Sequence, residues 1–155
     1  MDDAAWMQRA IDLATANVAQ GGGPFGALVV KNGHIVATGT NRVTAGLDPT
    51  AHAEIQAIRQ ACQALESFAL EGCTLYSSCE PCPMCLAAAH WARLERIVFA
   101  ADRFDAAAAN FDDALLYDEL TRPLTARRTP IHHLPLPTAR TPFEAWQALA
   151  TKTPY

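Results

Sequence analysis

The chain is short of positive charge. Its 155 residues carry 12 Lys and Arg against 16 Asp and Glu, a formal net charge of −4. Nucleic-acid binders usually show a basic footprint, so this balance argues against a polyanion as partner. No apolar run is long enough to span a bilayer, which argues against a membrane protein. The start, Met1-Asp2-Asp3-Ala4, lacks the basic residues of a secretory signal. Cysteines number five, an odd count that does not suit a closed disulfide framework. Two of them sit at a metal-type spacing, so a reducing cytoplasm is the expected compartment. There is no internal repeat and no low-complexity linker.

Apolar residues make up 50% of the chain and charged residues 18%, an ordinary globular balance. The length favours one domain, residues 1–155, with room for a core. Ala4 to Gln20 has apolar residues at helical spacing and stops at Gly21-Gly22-Gly23. Gly26 to Val30 and Ile35 to Thr40 read as two strands joined at Asn32-Gly33, a hairpin turn signal. Asn41 stands where the second strand ends. A helix is expected from near Ala51 to about Leu65, capped by Asp48 or Thr50. Cys73 to Ser78 reads as a third strand, Met84 to Trp91 as a helix, and Arg96 to Ala100 as a fourth strand. Ala106 to Tyr117 holds a short helix and a loop, and Ile131 to Leu134 reads as a weak fifth strand. Thr141-Pro142-Phe143-Glu144 has capping-box spacing, which starts a last helix to about Ala150. Strands alternating with helices predict an α/β fold whose sheet is covered on both faces.

The chemistry gathers in two short stretches. Cys82 and Cys85 are spaced C-x-x-C, His52 lies 30 positions before Cys82, and Glu54 follows two after His52. One imidazole and two thiolates suit a catalytic zinc, which keeps one position open, whereas structural zinc usually closes all four with Cys and His. Cys79 adjoins the motif, but a ligand there would strain the loop. Cys82 and Cys85, three apart at a helix start, share one face, and the positive helix end favours thiolates. His52 and Glu54 converge only if they lie in the first turn of their helix. Two helix N-termini are therefore expected to face each other across the metal. Glu54 is left over as the catalytic proton carrier.

At these residues the chain resembles the cytidine deaminase-like superfamily of zinc hydrolases, whose signature is His-x-Glu followed by Pro-Cys-x-x-Cys. Within it the chain is similar to the small bacterial guanine deaminases. That closer likeness is carried by Gly22 to Ala27, Asp48 to Glu54, Ser78 to Cys85, Trp91-Ala92-Arg93, Phe111-Asp112-Asp113, Pro142 to Trp146 and terminal Tyr155. It covers nearly the whole chain. The zinc motifs specify only deamination, while Phe-Asp-Asp and the terminal tyrosine point to guanine.

The resemblance implies a three-layer α/β/α fold with a five-stranded mixed sheet whose last two strands are parallel. It implies one zinc ion per subunit, held by His52, Cys82 and Cys85, with Glu54 catalytic. It places Asn41, Asp113, Phe25, Ala53, Trp91 and Tyr155 around a small nucleobase, with Asn41 and Asp113 on the base edge and Phe25 stacked on its ring. It implies a homodimer with shared sites, in which a C-terminal segment, about 138–155, is swapped. His90, where an aromatic is expected, and Pro154 before Tyr155 depart from that pattern. The functions weighed against guanine are another base, a nucleoside or an aminated triazine, a tRNA adenosine, or a non-enzymatic zinc scaffold. A scaffold has no use for Glu54. Cys62 and Cys73 read as small core residues.

Overall fold

Gly26–Lys31 forms β1, and its alternate side chains point into two different cores. Ala27 and Val29 face one side, Leu28 and Val30 the other, as the two-residue period of a strand requires. All four are buried, so the sheet is covered on both faces. This is the α/β layering expected from the sequence, seen in a computed structural model that describes all residues, 1–155. The chain divides into two compact units, Met1–Tyr117 and Asp118–Tyr155.

In the first unit, β1 pairs antiparallel with β2 (His34–Thr40) and with β3 (Cys73–Cys79). β3 pairs parallel with β4 (Arg96–Ala101), giving the order β2-β1-β3-β4. Asn32 and Gly33 both take positive φ at the β1–β2 turn, the geometry that Asn-Gly supplies at little steric cost.

One face of the sheet is covered by α1 (Asp3–Ala19), whose Trp6, Met7 and Ala10 pack on Leu28, Val30 and Tyr76. Asp2 caps this helix, accepting from the Ala5 N–H at 2.9 Å. Its first turn is tied to the sheet through Asp3. That carboxylate accepts from the Tyr76 hydroxyl at 2.6 Å and from both terminal nitrogens of Arg96, at 2.7 and 2.8 Å.

The other face is covered by α3 (Ala53–Ala64) and α4 (Pro83–Trp91). Gly39 lets α3 approach β2. A Cβ at that position would lie 2.1 Å from the Ala53 carbonyl oxygen and 2.5 Å from the Ala57 nitrogen. A one-turn helix, α2 (Val43–Gly46), precedes α3 and has no counterpart in the sequence reading. After β4 come α5 (Arg103–Ala108), capped by Asp102, and α6 (Asp113–Thr121).

The sheet has four strands, not the five expected. The parallel pair is β3 and β4, so the expected parallel pairing of the fourth strand with a fifth does not occur. Ile131–Leu134 forms no strand. The segment is only four residues long and lies between Pro130 and Pro135, neither of which has an N–H for a ladder.

The second unit carries a 3-10 turn (Leu124–Ala126) and α7 (Thr141–Ala148). The capping box expected at Thr141 does not form, because Thr141 lies inside the helix and Arg140 is its cap without a side-chain bond. Arg122 pairs with Asp118 at 2.7 Å, and Glu119 accepts from the Arg128 N–H at 2.7 Å. Ile131, Leu134, Leu136, Phe143 and Leu149 are all exposed. No helix of the chain is long and apolar enough to cross a membrane.

Candidate active site

Two helix starts supply the metal ligands, as the spacing requires. His52 is the N-cap of α3 and Cys82 the N-cap of α4, both with extended backbone. Neither Asp48 nor Thr50 caps α3; the Asp48 carboxylate instead accepts from the Thr50 N–H and hydroxyl. Neither residue makes a side-chain capping hydrogen bond, and the two side chains meet each other instead. Pro83 at the first position of α4 gives up an N–H that a helix start leaves unpaired anyway. Cys85 follows within the same first turn and is fully buried.

His52 Nδ1 lies 3.6 Å from Cys82 Sγ and 3.4 Å from Cys85 Sγ. All three ligand atoms fall within 4.8 Å of one another. Tetrahedral zinc, with its usual bonds to nitrogen and sulfur, places those atoms about 3.5 Å apart. The donor set and the spacing therefore fit zinc with one position left for another ligand. Ile55 packs with both cysteines in one buried cluster, against which Met84 and Ala88 also pack.

The electrostatics favour a cation there. The Cys82 thiol is held down to about 4, first by a hydrogen bond from Cys85 and then by His52, against the burial that opposes it. The same pairing, with burial, pushes Cys85 up. His52 is raised, chiefly by its bond to Cys82. A bound divalent cation replaces these shared protons, since zinc takes cysteine as thiolate.

Glu54 stands in the first turn of α3, two residues after His52, and is buried, with 5% of its surface exposed. Burial is the main cause that raises its carboxyl above the ordinary value. Ser77, from β3, donates to Glu54 Oε1 at 3.2 Å and fixes that oxygen.

The residues expected to bind a base stand on separate elements of the chain. Asn41 follows β2; its Oδ1 accepts from the Val43 N–H at 3.2 Å, and its own N–H donates to the Phe25 carbonyl at 3.2 Å. Ala53, the first residue of α3, is fully buried between His52 and Glu54. Asp113 begins α6, and its carboxyl is raised first by burial and then by the charge of Cys82. Phe25 meets Phe111 edge to face, ring centres 4.9 Å apart. Trp91 ends α4 and is 63% exposed, with the Arg93 guanidinium 6.0 Å from its ring centre. Tyr155 belongs to the second unit, where its ring meets Trp146 edge to face at 6.3 Å. His90 is exposed beside Trp91, and Cys79 is buried with its thiol toward the Asp102 carbonyl.

Two supporting residues escaped the sequence reading. Asn17 is buried on α1, and its side-chain amide donates to the carbonyls of Gly23 and Asn41, at 2.8 and 2.9 Å. A polar side chain on the Ala10–Ala14 stripe was the available signal. Ser77 gave no signal, since alternate strand positions carry serine for many reasons.

The matches to known proteins agree with this geometry. Residues 1–101 match the family described as the cytidine and deoxycytidylate deaminase zinc-binding region. The chain is 47% identical to the guanine deaminase of Bacillus subtilis over 156 aligned positions, covering 100% of both chains. It superposes on the X-ray structure of a guanine deaminase from Bacillus subtilis with a TM-score of 0.97, covering 100% of this chain and 99% of that one. A tRNA-specific adenosine deaminase of Bacillus subtilis is 42% identical over 99 residues, 64% of this chain and 62% of that one.

Proposed function

The chain belongs to the cytidine and deoxycytidylate deaminase zinc-binding family, and from that premise we infer that it is a zinc-dependent enzyme hydrolysing guanine to xanthine and ammonia. The observation that carries deamination is the His52, Cys82 and Cys85 triad beside a buried carboxylate. Guanine, as opposed to another base, is supported by likeness along the full length to a guanine deaminase. Likeness to the tRNA-specific adenosine deaminase covers 64% of the chain, and a net charge of −4 gives little attraction to RNA.

His52, Cys82 and Cys85 hold the ion. When bound, zinc makes water nucleophilic near neutral pH. Glu54 is the proton carrier in this reading. Ser77 holds one carboxylate oxygen in place, and the carboxylate takes a proton from the attacking water and delivers it to the ring nitrogen beside the attacked carbon. The carboxylate then takes the second proton, from the added hydroxyl, and gives it to the departing amine, so the carbonyl forms as the C–N bond breaks and ammonia leaves. A carboxyl raised by burial suits both directions of transfer, because its two forms lie closer in energy at working pH.

Asn41 and Asp113 hold the base edge. Guanine presents an N–H donor and a carbonyl acceptor there, which Asp113 and the amide of Asn41 complement. A rival base leaves one of these groups unpaired, and rejection of that kind reaches orders of magnitude. Phe25, steadied by Phe111, stacks on the ring, and Ala53 lines its edge. Trp91 and Tyr155 form the rim.

The rim reading includes a homodimer in which the segment of about 138–155 is exchanged, so that one protomer's Tyr155 closes its partner's pocket. Support comes from the exposed apolar side chains of that part of the chain, Phe143 and Leu149 among them, which a second copy covers. Together with the C-terminal segment the whole chain then acts as one deaminase domain. Five unpaired cysteines suit the reducing cytoplasm. Ammonia release from guanine, guanosine, cytosine, adenine and an aminated triazine tests the substrate. Guanine should dominate, and turnover of another base in its place overturns the assignment.

A further inference from the structure

We propose that Tyr117 is a positioning residue, a latch that ties α6 to the metal-binding loop and so fixes where Asp113 meets the base.

Tyr117 stands four residues after Asp113 on α6, one helical turn away and therefore on the same face. Its hydroxyl donates to the carbonyl oxygen of Pro81, the residue directly before Cys82. The guanidinium of Arg103 lies 3.5 Å from the centre of the Tyr117 ring. Arg103 is itself held by Glu80, the residue before Pro81. Its Nε and a terminal nitrogen donate to the two Glu80 oxygens at 3.1 and 2.8 Å, and its backbone N–H donates to Oε1 at 2.9 Å. Glu80 is anchored in turn, its N–H donating to the Ala101 carbonyl at 2.7 Å. Tyr117 is thus held at its hydroxyl by Pro81 and on its ring face by Arg103, which Glu80 holds in turn, and Glu80 and Pro81 are the two residues before the first cysteine ligand.

That grip matters because α6 has little else to hold it. None of its residues is buried, so apolar packing does not set its position. Polar and stacking contacts fix it instead, and those at Tyr117 point to the metal loop. A forked Arg–carboxylate pair adds fixed geometry, and an Arg on an aromatic face adds attraction. The hydroxyl of Tyr117 is engaged by Pro81 and its ring by Arg103, so it acts through Asp113. The inference rests on the reading of Asp113 as a base-binding group.

The test uses full-length, zinc-loaded protein and three variants, Tyr117→Phe, Asp113→Asn and the double variant. Tyr117→Phe keeps the ring beneath Arg103 and removes only the hydroxyl, so the fold is retained and zinc content stays at the wild-type level. The expected result is a rise of about tenfold in KM for guanine with kcat within about twofold. In the Asp113→Asn background the same change should add almost nothing, because the residue it positions is already disabled. A wild-type KM in Tyr117→Phe with a raised KM in Asp113→Asn overturns the latch alone. Effects that multiply in the double variant also overturn it. A wild-type KM in Asp113→Asn overturns the reading of Asp113, and the latch with it.

Discussion

His52 Nδ1 and Cys85 Sγ lie 3.4 Å apart although 33 residues separate them in the chain. The contact joins the start of α3 to the first turn of α4, and Cys82 completes the triad at 3.6 Å from the same nitrogen. Three atoms at this spacing, from two rigid helix ends, suit one ion. Replacing Cys85 by Ala should therefore reduce bound zinc from one per subunit to nearly none and lower the melting temperature. Cys79→Ala should keep the zinc, because that thiol turns toward the Asp102 carbonyl instead. Metal content by elemental analysis separates the two variants.

Glu54→Gln preserves shape and hydrogen-bonding capacity but removes the exchangeable proton. Zinc content should remain at the wild-type level while kcat falls about a thousandfold. Retained turnover in that variant removes the proton-transfer role from Glu54.

Gly39 is where α3 presses on β2, with the Ala53 carbonyl in the space a side chain needs. Backbone cannot step aside as a flexible side chain can. Gly39→Ala should cost about 2 kcal/mol or more by chemical denaturation, and should weaken zinc binding because Ala53 adjoins His52. Gly46→Ala is the control. Its nearest neighbour would be 4.0 Å away, so stability should hold or rise slightly.

The bond between α1 and the sheet carries an acid-side signature. Hydrogen bonds from Arg96, then from Tyr76, hold the Asp3 carboxyl down to about 2, against an ordinary value of 3.8. The folded value lies below the unfolded one. The contribution is therefore complete above pH 3.8 and disappears as pH falls through about 2. Denaturation midpoints of the wild type and Asp3→Asn should differ by a constant amount above that window and converge within it. A gap that persists below pH 2 contradicts the pairing.

What the sequence disclosed follows from how far each signal reaches. The metal triad was legible because C-x-x-C and His-x-Glu are local spacings that make sense only at helix starts, and there the residues stand. The hairpin at Asn32-Gly33 was legible for the same reason, since the turn chemistry lies within two residues. Ile131 to Leu134 misled because an apolar, extended run says nothing of whether a partner strand accepts it, and the flanking prolines decide against a ladder. The grip of Arg103 and Pro81 on Tyr117 was invisible. It joins residues up to 36 positions apart, and no local pattern marks either end. Asn17 bridging Gly23 and Asn41 is of the same kind.

The most direct measurement is the formation of xanthine from guanine, followed by ultraviolet absorbance, in zinc-loaded protein, chelator-stripped protein and stripped protein given zinc again. The expected result is turnover in the first, none in the second, and recovery in the third, with ammonia released in equal amount. Zinc-loaded protein that leaves guanine intact, or stripped protein that converts it at the same rate, contradicts a zinc-dependent guanine deaminase.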